Sequence, residues 1–247
     1  MARRVASFLT LEEVGQVHEF AKSVTAPEAK HDLSEDRSRD VIYCSYEDAF
    51  RTRLPGIYER CRSSAQRFHV SRGGSETEPF NLRVAEYHTD HPGGGIFDPS
   101  HVDAGSLVTV DVMLTNTFEG GCFCTSERDG PVHRHPEFKG IGDTVFFPST
   151  QRHHVERVTT GLRQVLVLEF WSGEPRVCAH RCPQRHGPCR EIIHDPIGRQ
   201  KSFFDSTFFD SIDEDVLREA CLALDDDVST DDVSTEPHAA NIALAVA

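Results

Sequence analysis

The chain has 247 residues, 38% of them hydrophobic, and a formal net charge of −14 at pH 7. That length suits one medium domain with appendages; no Lys/Arg-dense stretch suggests a nucleic-acid surface, and no apolar run approaches the roughly 20 residues of a membrane span. The acidity is local: residues 205–247 hold twelve acidic side chains and one basic, Arg218, which is −11 of the −14, so it says little about the partners of the remainder.

The first residues, Met1 to Val5, run into a helical pattern without the apolar core of a secretory signal, which gives the expectation of a soluble cytoplasmic protein. Phe8, Leu9, Leu11, Val14, Val17, Phe20, Ala21 and Val24 recur every three or four positions. This predicts an amphipathic helix over 8–24, with Thr10 as its N-cap before Glu12 and Glu13. Residues 25–40 are polar and of mixed charge and read as a loop, and a second helix is expected over 46–69. A loop over 70–79, marked by Gly73-Gly74, precedes a change of period. From Phe80, Leu82 and Val84 to Tyr87 alternate as a strand, and a Gly/Pro-rich insertion covers 92–99. Strand-like segments follow at 101–103, 106–115, 121–125, 143–148, 153–158 and 162–171. Turn signals separate them at Ala104-Gly105, Asn116, Asp129-Gly130-Pro131, Gly140 with Gly142, and Thr160-Gly161. Many short strands behind N-terminal helices point to a β-sandwich or barrel with helical support.

The chemistry concentrates in that β-rich part. On a strand, His101 and Asp103 project to the same side and can grip one ion together. A nitrogen from the pair His153-His154, with alternation favouring His153, would complete two histidines and one carboxylate. That set leaves positions open on an octahedral ion and suits non-haem Fe(II). Arg163 lies ten residues beyond His153 and offers a planar cation that can hold a carboxylate bidentately. A His-x-Asp pair alone is weak evidence, since it is also found on ordinary polar strands.

The pieces Tyr87, His101-Val102-Asp103, Phe118-Glu119-Gly120-Gly121, Gly142-Asp143 leading into Phe146-Phe147, and His153 through Val158 and Gly161 to Arg163 carry a resemblance. Residues 82–171 resemble the core of the Fe(II)/2-oxoglutarate-dependent dioxygenases, prolyl 4-hydroxylase-like branch. The resemblance implies an α+β, mainly β fold: a double-stranded β-helix (jelly-roll, cupin-like) with N-terminal supporting helices. The dioxygenase domain would span 1–172, with helices within 8–69 and the β core at about 80–172. It further implies Fe(II) on His101, Asp103 and His153, and 2-oxoglutarate on Arg163 with Tyr87 or Thr109 adding a hydrogen bond. The implied reaction hydroxylates an unactivated carbon of a peptidyl proline, another amino acid or a small molecule, releasing succinate and CO2; related enzymes often use ascorbate. Two departures stand out. Arg157 occupies a place where the family often has proline, and Asp111 would face an anionic cosubstrate unless a bulge turns it outward. Asp111 and the Cys/His-rich segment after residue 172 motivate a rival reading, a catalytically silent metal-binding or interaction protein on the same fold; a zinc hydrolase is a weaker third.

The rest of the chain is less explicit. Residues 173–200 form a Cys/His-rich extension in which Cys178, His180, Cys182, His186, Cys189 and His194 leave structural zinc, a disulfide or plain loop cysteines open. Cys122 and Cys124 read as packing residues, His133 and His135 as a solvated hairpin loop, and His88 and His91 as candidates for a pocket mouth. Residues 213–224 could form one short helix. The tail, 201–247, repeats Asp-Asp-Val-Ser-Thr at 226–230 and 231–235 and is expected to be partly disordered. The partner is expected to be a peptide or small molecule, not nucleic acid or a membrane; the oligomeric state stays open.

Overall fold

The computed structural model describes residues 2–32, 38–127 and 130–190. The acidic tail, its repeat, the expected helix at 213–224 and His194 lie outside the described residues.

Helix α1 (Leu11–Ser23) forms where the apolar period predicts it. The Thr10 hydroxyl accepts from the Glu13 amide at 3.2 Å and the Glu13 carboxylate accepts from the Thr10 amide at 2.9 Å, a reciprocal cap that satisfies two otherwise unpaired donors. The second expected helix is broken. Pro55 has no amide for an intrahelical bond but suits a first turn, so α2 (Ala49–Arg53) ends and α3 (Pro55–Ser71) begins there. The loop expected over 25–40 holds β2 (Lys30–Asp32) and the start of β3 (Arg39–Tyr43), and β1 (Arg3–Val5) precedes α1. β1 and β2 are short, mostly polar and lie at the two sheet edges, so they lack the alternation that marks a strand in sequence, and β3 offers only the brief Val41-Ile42-Tyr43 run.

The β core comprises β4 (Asn81–Asp90), β5 (Val108–Met113), β6 (Phe118–Gly120), β7 (Phe123–Ser126), β8 (Val132–Arg134), β9 (Thr144–Pro148), β10 (Arg152–Val155), β11 (Val158–Gly161) and β12 (Arg163–Trp171). An antiparallel seven-stranded sheet runs β1-β9-β5-β12-β4-β3-β2, beside a three-stranded sheet β10-β7-β8 and a two-stranded one, β11-β6. One face of the large sheet packs Leu82, Val110, Val112, Leu166 and Leu168 against Val17, Phe20, Cys61, Ala65 and Phe68 of the helices. The other packs Met113, Val145, Phe147 and Val165 against Phe118, Phe123, Val155 and Val158 of the small sheets. Two sheets facing each other, with helices behind the larger, make the jelly-roll expected. Thr160-Gly161, read as a turn, belongs to β11, and His133 lies exposed on β8 instead of in a loop.

Gly120 and Gly121 (φ +73° and +59°) link β6 to β7. A Cβ on Gly120 would stand 2.2 Å from the Arg157 carbonyl oxygen, and one on Gly121 2.8 Å from the Arg163 Cδ. Only glycine lets this turn close over Arg163. No helix among the described residues is long and apolar enough to cross a membrane.

Candidate metal centre

His101 and Asp103 are not on a strand, which corrects the sequence reading. They lie in the loop before β5, ended by a turn in which the Ser106 amide donates to the Asp103 carbonyl and Gly105 takes φ +89°. Backbone pairing performs the strand's work: the His153 amide donates to the His101 carbonyl at 3.0 Å and the Asp103 amide to the Ser149 carbonyl at 2.9 Å. Those bonds hold the loop against β10, whose His153 completes the set. His101 Nε2 lies 3.4 Å from Asp103 Oδ1 and His153 Nε2 lies 3.7 Å from Asp103 Oδ2. All three ligand atoms fall within 4.8 Å of one another, and an ion bonded at about 2.1 Å needs neighbouring ligands about 3 Å apart. His154, the next residue of β10, projects to the opposite face.

The three candidate ligands are held by their surroundings. His153 Nδ1 donates to the Gln151 carbonyl at 3.0 Å, which leaves Nε2 as the lone pair facing Asp103. Burial lowers the His153 pKa and outweighs the opposing pull of Asp103, so the ring stays neutral, the form that binds a metal. Asp103 Oδ2 accepts from the Thr109 hydroxyl at 2.7 Å, and that hydroxyl also meets Ser149 Oγ at 2.9 Å; Asp103 Oδ1 accepts from Arg181 Nη1 at 3.1 Å. Burial alone would raise the Asp103 pKa. His153, Arg181 and His101 outweigh it and hold the carboxyl well below its usual range.

Arg163 opens β12 and is 1% exposed. Its Nη1 donates to Asp90 Oδ2 at 3.0 Å, whereas Nε and Nη2 have no hydrogen-bond partner. Those two atoms form the guanidinium edge that takes a carboxylate bidentately. A buried donor left unpaired is costly, so the edge is built for an anion. From Arg163 a continuous polar chain crosses the interior. Asp90 Oδ1 pairs with Arg39 Nε at 3.3 Å, Arg39 Nη2 meets His88 Nδ1 at 3.2 Å, and His88 Nε2 meets Glu86 Oε2 at 2.6 Å. Glu86 Oε2 pairs with Arg181 Nη2 at 2.8 Å, and Arg181 reaches Asp103. The donor set, the loose guanidinium edge and the chain between them fit a divalent ion and a small dicarboxylate.

Two expected cosubstrate contacts are misplaced. Tyr87 turns to the helix face, where its hydroxyl meets His18 Nδ1 at 2.9 Å; its neighbours Glu86 and His88 take the interior side because β4 alternates. Thr109 supports Asp103 and is not seen bonded to Arg163. His88 belongs to the interior chain, while His91 pairs with Asp40 at 2.8 Å, half-exposed. The sequence reading missed Glu86, Asp90, Glu169 and Arg181.

Asp111 faces the interior, since β5 pairs with β12 and β9 without a register shift. Burial, with Asp103 adding, pushes its carboxyl up to about 7 against the pull of Arg163, Arg181 and Arg39. A folded-state pKa raised in this way means stability falls as pH climbs from about 4 to about 7, where the unfolded chain has already released the proton. Asp111→Asn is therefore expected to add about 2–4 kcal/mol at pH 8 and almost nothing at pH 4, measured by urea unfolding at both. An equal gain at the two pH values would show that Asp111 carries no charge in the fold.

No protein-family model and no curated protein matches the chain. Solved structures do. An oxidoreductase of the 2OG-Fe(II) oxygenase family from Burkholderia pseudomallei is 14% identical with a TM-score of 0.54, the match covering 70% of this chain and 86% of that one. The non-haem α-ketoglutarate-dependent epimerase SnoN of nogalamycin biosynthesis is 17% identical with a TM-score of 0.56 over 70% and 78%. A Pseudomonas putida prolyl-4-hydroxylase is 17% identical with a TM-score of 0.50 over 70% and 93%. The fold of this chain is thus the double-stranded β-helix of the 2-oxoglutarate/Fe(II) oxygenases.

Proposed function

We propose that the protein is an Fe(II)- and 2-oxoglutarate-dependent oxygenase, an oxidoreductase that hydroxylates an unactivated carbon. The single observation that carries this reading is the pairing of the His101/Asp103/His153 cluster with the unpaired inner edge of Arg163 in one interior. His101, Asp103 and His153 would hold iron through two nitrogens and a carboxylate, and Arg163 would hold the far carboxylate of 2-oxoglutarate. Bound there, the pair would supply the O2-dependent oxidation, with succinate and CO2 as coproducts.

The chain's own residues prepare that chemistry. Thr109 and Arg181 orient Asp103, one at each oxygen. The Gln151 carbonyl fixes the His153 tautomer. Phe123 and Phe147 pack at 5.9 Å and 4.8 Å between ring centroids from His153, excluding water from one side of the ion. The substrate is a peptide or a small molecule, since the similar structures include a prolyl hydroxylase in complex with a peptide fragment and an epimerase of nogalamycin biosynthesis.

Succinate release from 2-oxoglutarate, with and without ascorbate, tests the reading on anaerobically Fe(II)-loaded protein exposed to O2. His153→Ala is expected to lower iron affinity by at least about 100-fold, since it removes a ligand outright, and to abolish release. Iron binding unchanged in His153→Ala would sink the assignment of the site. One observation favours the silent rival: Asp111 is an extra buried acid, with Oδ1 unpartnered. Failure of Fe(II)-loaded protein to bind 2-oxoglutarate at all would decide for it.

A further inference from the structure

Residues 172–190 contain no helix or strand, and only Ala179, Cys182 and Arg176 among them are buried besides Gly173. So little apolar burial does not by itself fix a segment of this length. Backbone contacts hold it at a few points: the Arg176 amide donates to the Leu82 carbonyl at 3.0 Å, and Arg83 Nε donates to the Cys182 carbonyl at 2.9 Å. Within it, Cys178, His180, Cys182 and Cys189 bring their ligand atoms within 4.8 Å of one another, with Cys189 Sγ 3.4 Å from His180 Nε2. Cys178, Cys182 and Cys189 are free thiols.

We infer that Cys178, His180, Cys182 and Cys189 bind one zinc ion in a closed tetrahedral site, which seats Arg181 against Asp103, Glu86 and Glu169. Three thiolates and one imidazole are a zinc donor set. Thiolates bonded at about 2.3 Å stand about 3.8 Å apart around a tetrahedron, so the four groups need only a small contraction to close on the ion. Four protein ligands leave no position for substrate, which makes the site structural. It also differs in kind from the nitrogen–oxygen set at His101, Asp103 and His153, so the two sites select different metals. A disulfide would use only two of the three converging sulfurs, whereas one zinc ion uses all three together with the His180 nitrogen beside Cys189. Arg181 lies between two of these residues, His180 and Cys182, and its guanidinium enters the interior to reach Asp103, Glu86 and Glu169. The ion would clip the segment so that this one side chain cannot withdraw. His186, 80% exposed at its side chain and near Glu174, is not part of the set.

The zinc site stands apart from the oxygenase reading and is tested without turnover. Metal analysis of the full chain, purified without chelators, is expected to give about one zinc per chain. His153→Ala should keep it, and Cys189→Ser and Cys182→Ser should lose it. Cobalt(II) in place of zinc should show the intense visible bands and sulfur charge transfer of a tetrahedral thiolate site; His180→Cys should keep the metal and shift those bands. Seating of Arg181 predicts that Arg181→Met and Cys189→Ser are non-additive in urea midpoint, the double variant being no less stable than the worse single one. Zinc at the level of Cys189→Ser in the parent chain, zinc lost with His153→Ala, or thiols found as a disulfide by intact mass would overturn the site. A cobalt spectrum without sulfur charge transfer does so even if the cysteine variants fail to fold. Full additivity would overturn the seating.

Discussion

Arg181→Met is expected to destabilise the protein by about 3–5 kcal/mol at pH 8 and by clearly less at pH 5. Arg181 is the cation shared by three buried carboxylates: Nη2 pairs with Glu86 at 2.8 Å, Nε with Glu169 at 3.0 Å and Nη1 with Asp103 at 3.1 Å. The side chains of those acids are at most 2% exposed. Methionine preserves the apolar stem and removes only the charge. What remains is a cluster of carboxylates without its counter-ion, and the cost of that exceeds the worth of the pairs themselves. Arg181 keeps 26% of its side chain exposed, so solvent screens part of the effect and the lower end of the range is the safer expectation.

The pH dependence follows from the same contacts. Burial alone would raise the Glu86 pKa, but Arg181 and His88 hold it well below its usual range, as Asp103 is held. Acids with depressed folded pKa values contribute stability that is present above about pH 4 and lost as pH falls through the folded value. Without Arg181 that contribution disappears and burial dominates, so the penalty grows as pH rises and the carboxyls are forced to ionise. Glu169 already shows the tendency: burial pushes its carboxyl up to about 7 despite Arg181. Urea unfolding at pH 5 and pH 8 reads both. A loss below about 1 kcal/mol at pH 8 would mean that the three acids share protons instead of a cation.

Arg163→Met is expected to weaken 2-oxoglutarate binding by roughly 100- to 1,000-fold while leaving the fold intact. Losing one partner of a buried, hydrogen-bonded charge pair costs about 2–5 kcal/mol, and each 1.4 kcal/mol is tenfold. Folding tolerates the change because Asp90 keeps Arg39 as its partner at 3.3 Å. Arg163→Lys should recover only part of the affinity, since an ammonium cannot offer the Nε/Nη2 edge. Calorimetry on anaerobic Fe(II)-loaded protein measures this, with 2-oxobutyrate as a second ligand. Lacking the far carboxylate, 2-oxobutyrate should bind parent and variant alike. If 2-oxoglutarate binding survives in Arg163→Met, the carboxylate rests elsewhere, with Arg39 and Arg181 the remaining guanidiniums of the interior chain.

The sequence was most legible where one periodicity or one spacing governs. α1 and its Thr10 cap, the apolar runs of β5, β9 and β12, and the convergence of His101, Asp103 and His153 could all be read. It misled where a local rule was right and the tertiary context chose otherwise. His101 and Asp103 share a side through backbone bonds to His153 and Ser149, not through strand geometry. Tyr87 is a plausible pocket aromatic, but β4 is buried on both faces, and the strand's parity puts it with His18. The short edge strands β1 and β2 carry no alternation to find. Arg181 was hidden because nothing local says that an irregular Cys/His segment folds back over the interior. A clue lay in plain view: Glu169 interrupts the apolar run from Val165 to Trp171, and Glu86, His88 and Asp90 alternate along β4. Charged residues on a central strand need partners.

The polar chain from Arg163 to Asp103 has an electrical consequence. With His88 and Asp111 uncharged, its cations Arg163, Arg39 and Arg181 balance its anions Asp90, Glu86 and Asp103, and Glu169, which also meets Arg181, is matched by Arg83. A dication entering at one end leaves the interior two charges positive, and a dianion entering at the other leaves it two negative; together they restore neutrality. In so dry a medium each should tighten the other's hold by the same factor, as thermodynamic reciprocity requires. On the proposed reading, the two small ligands would enter as a couple.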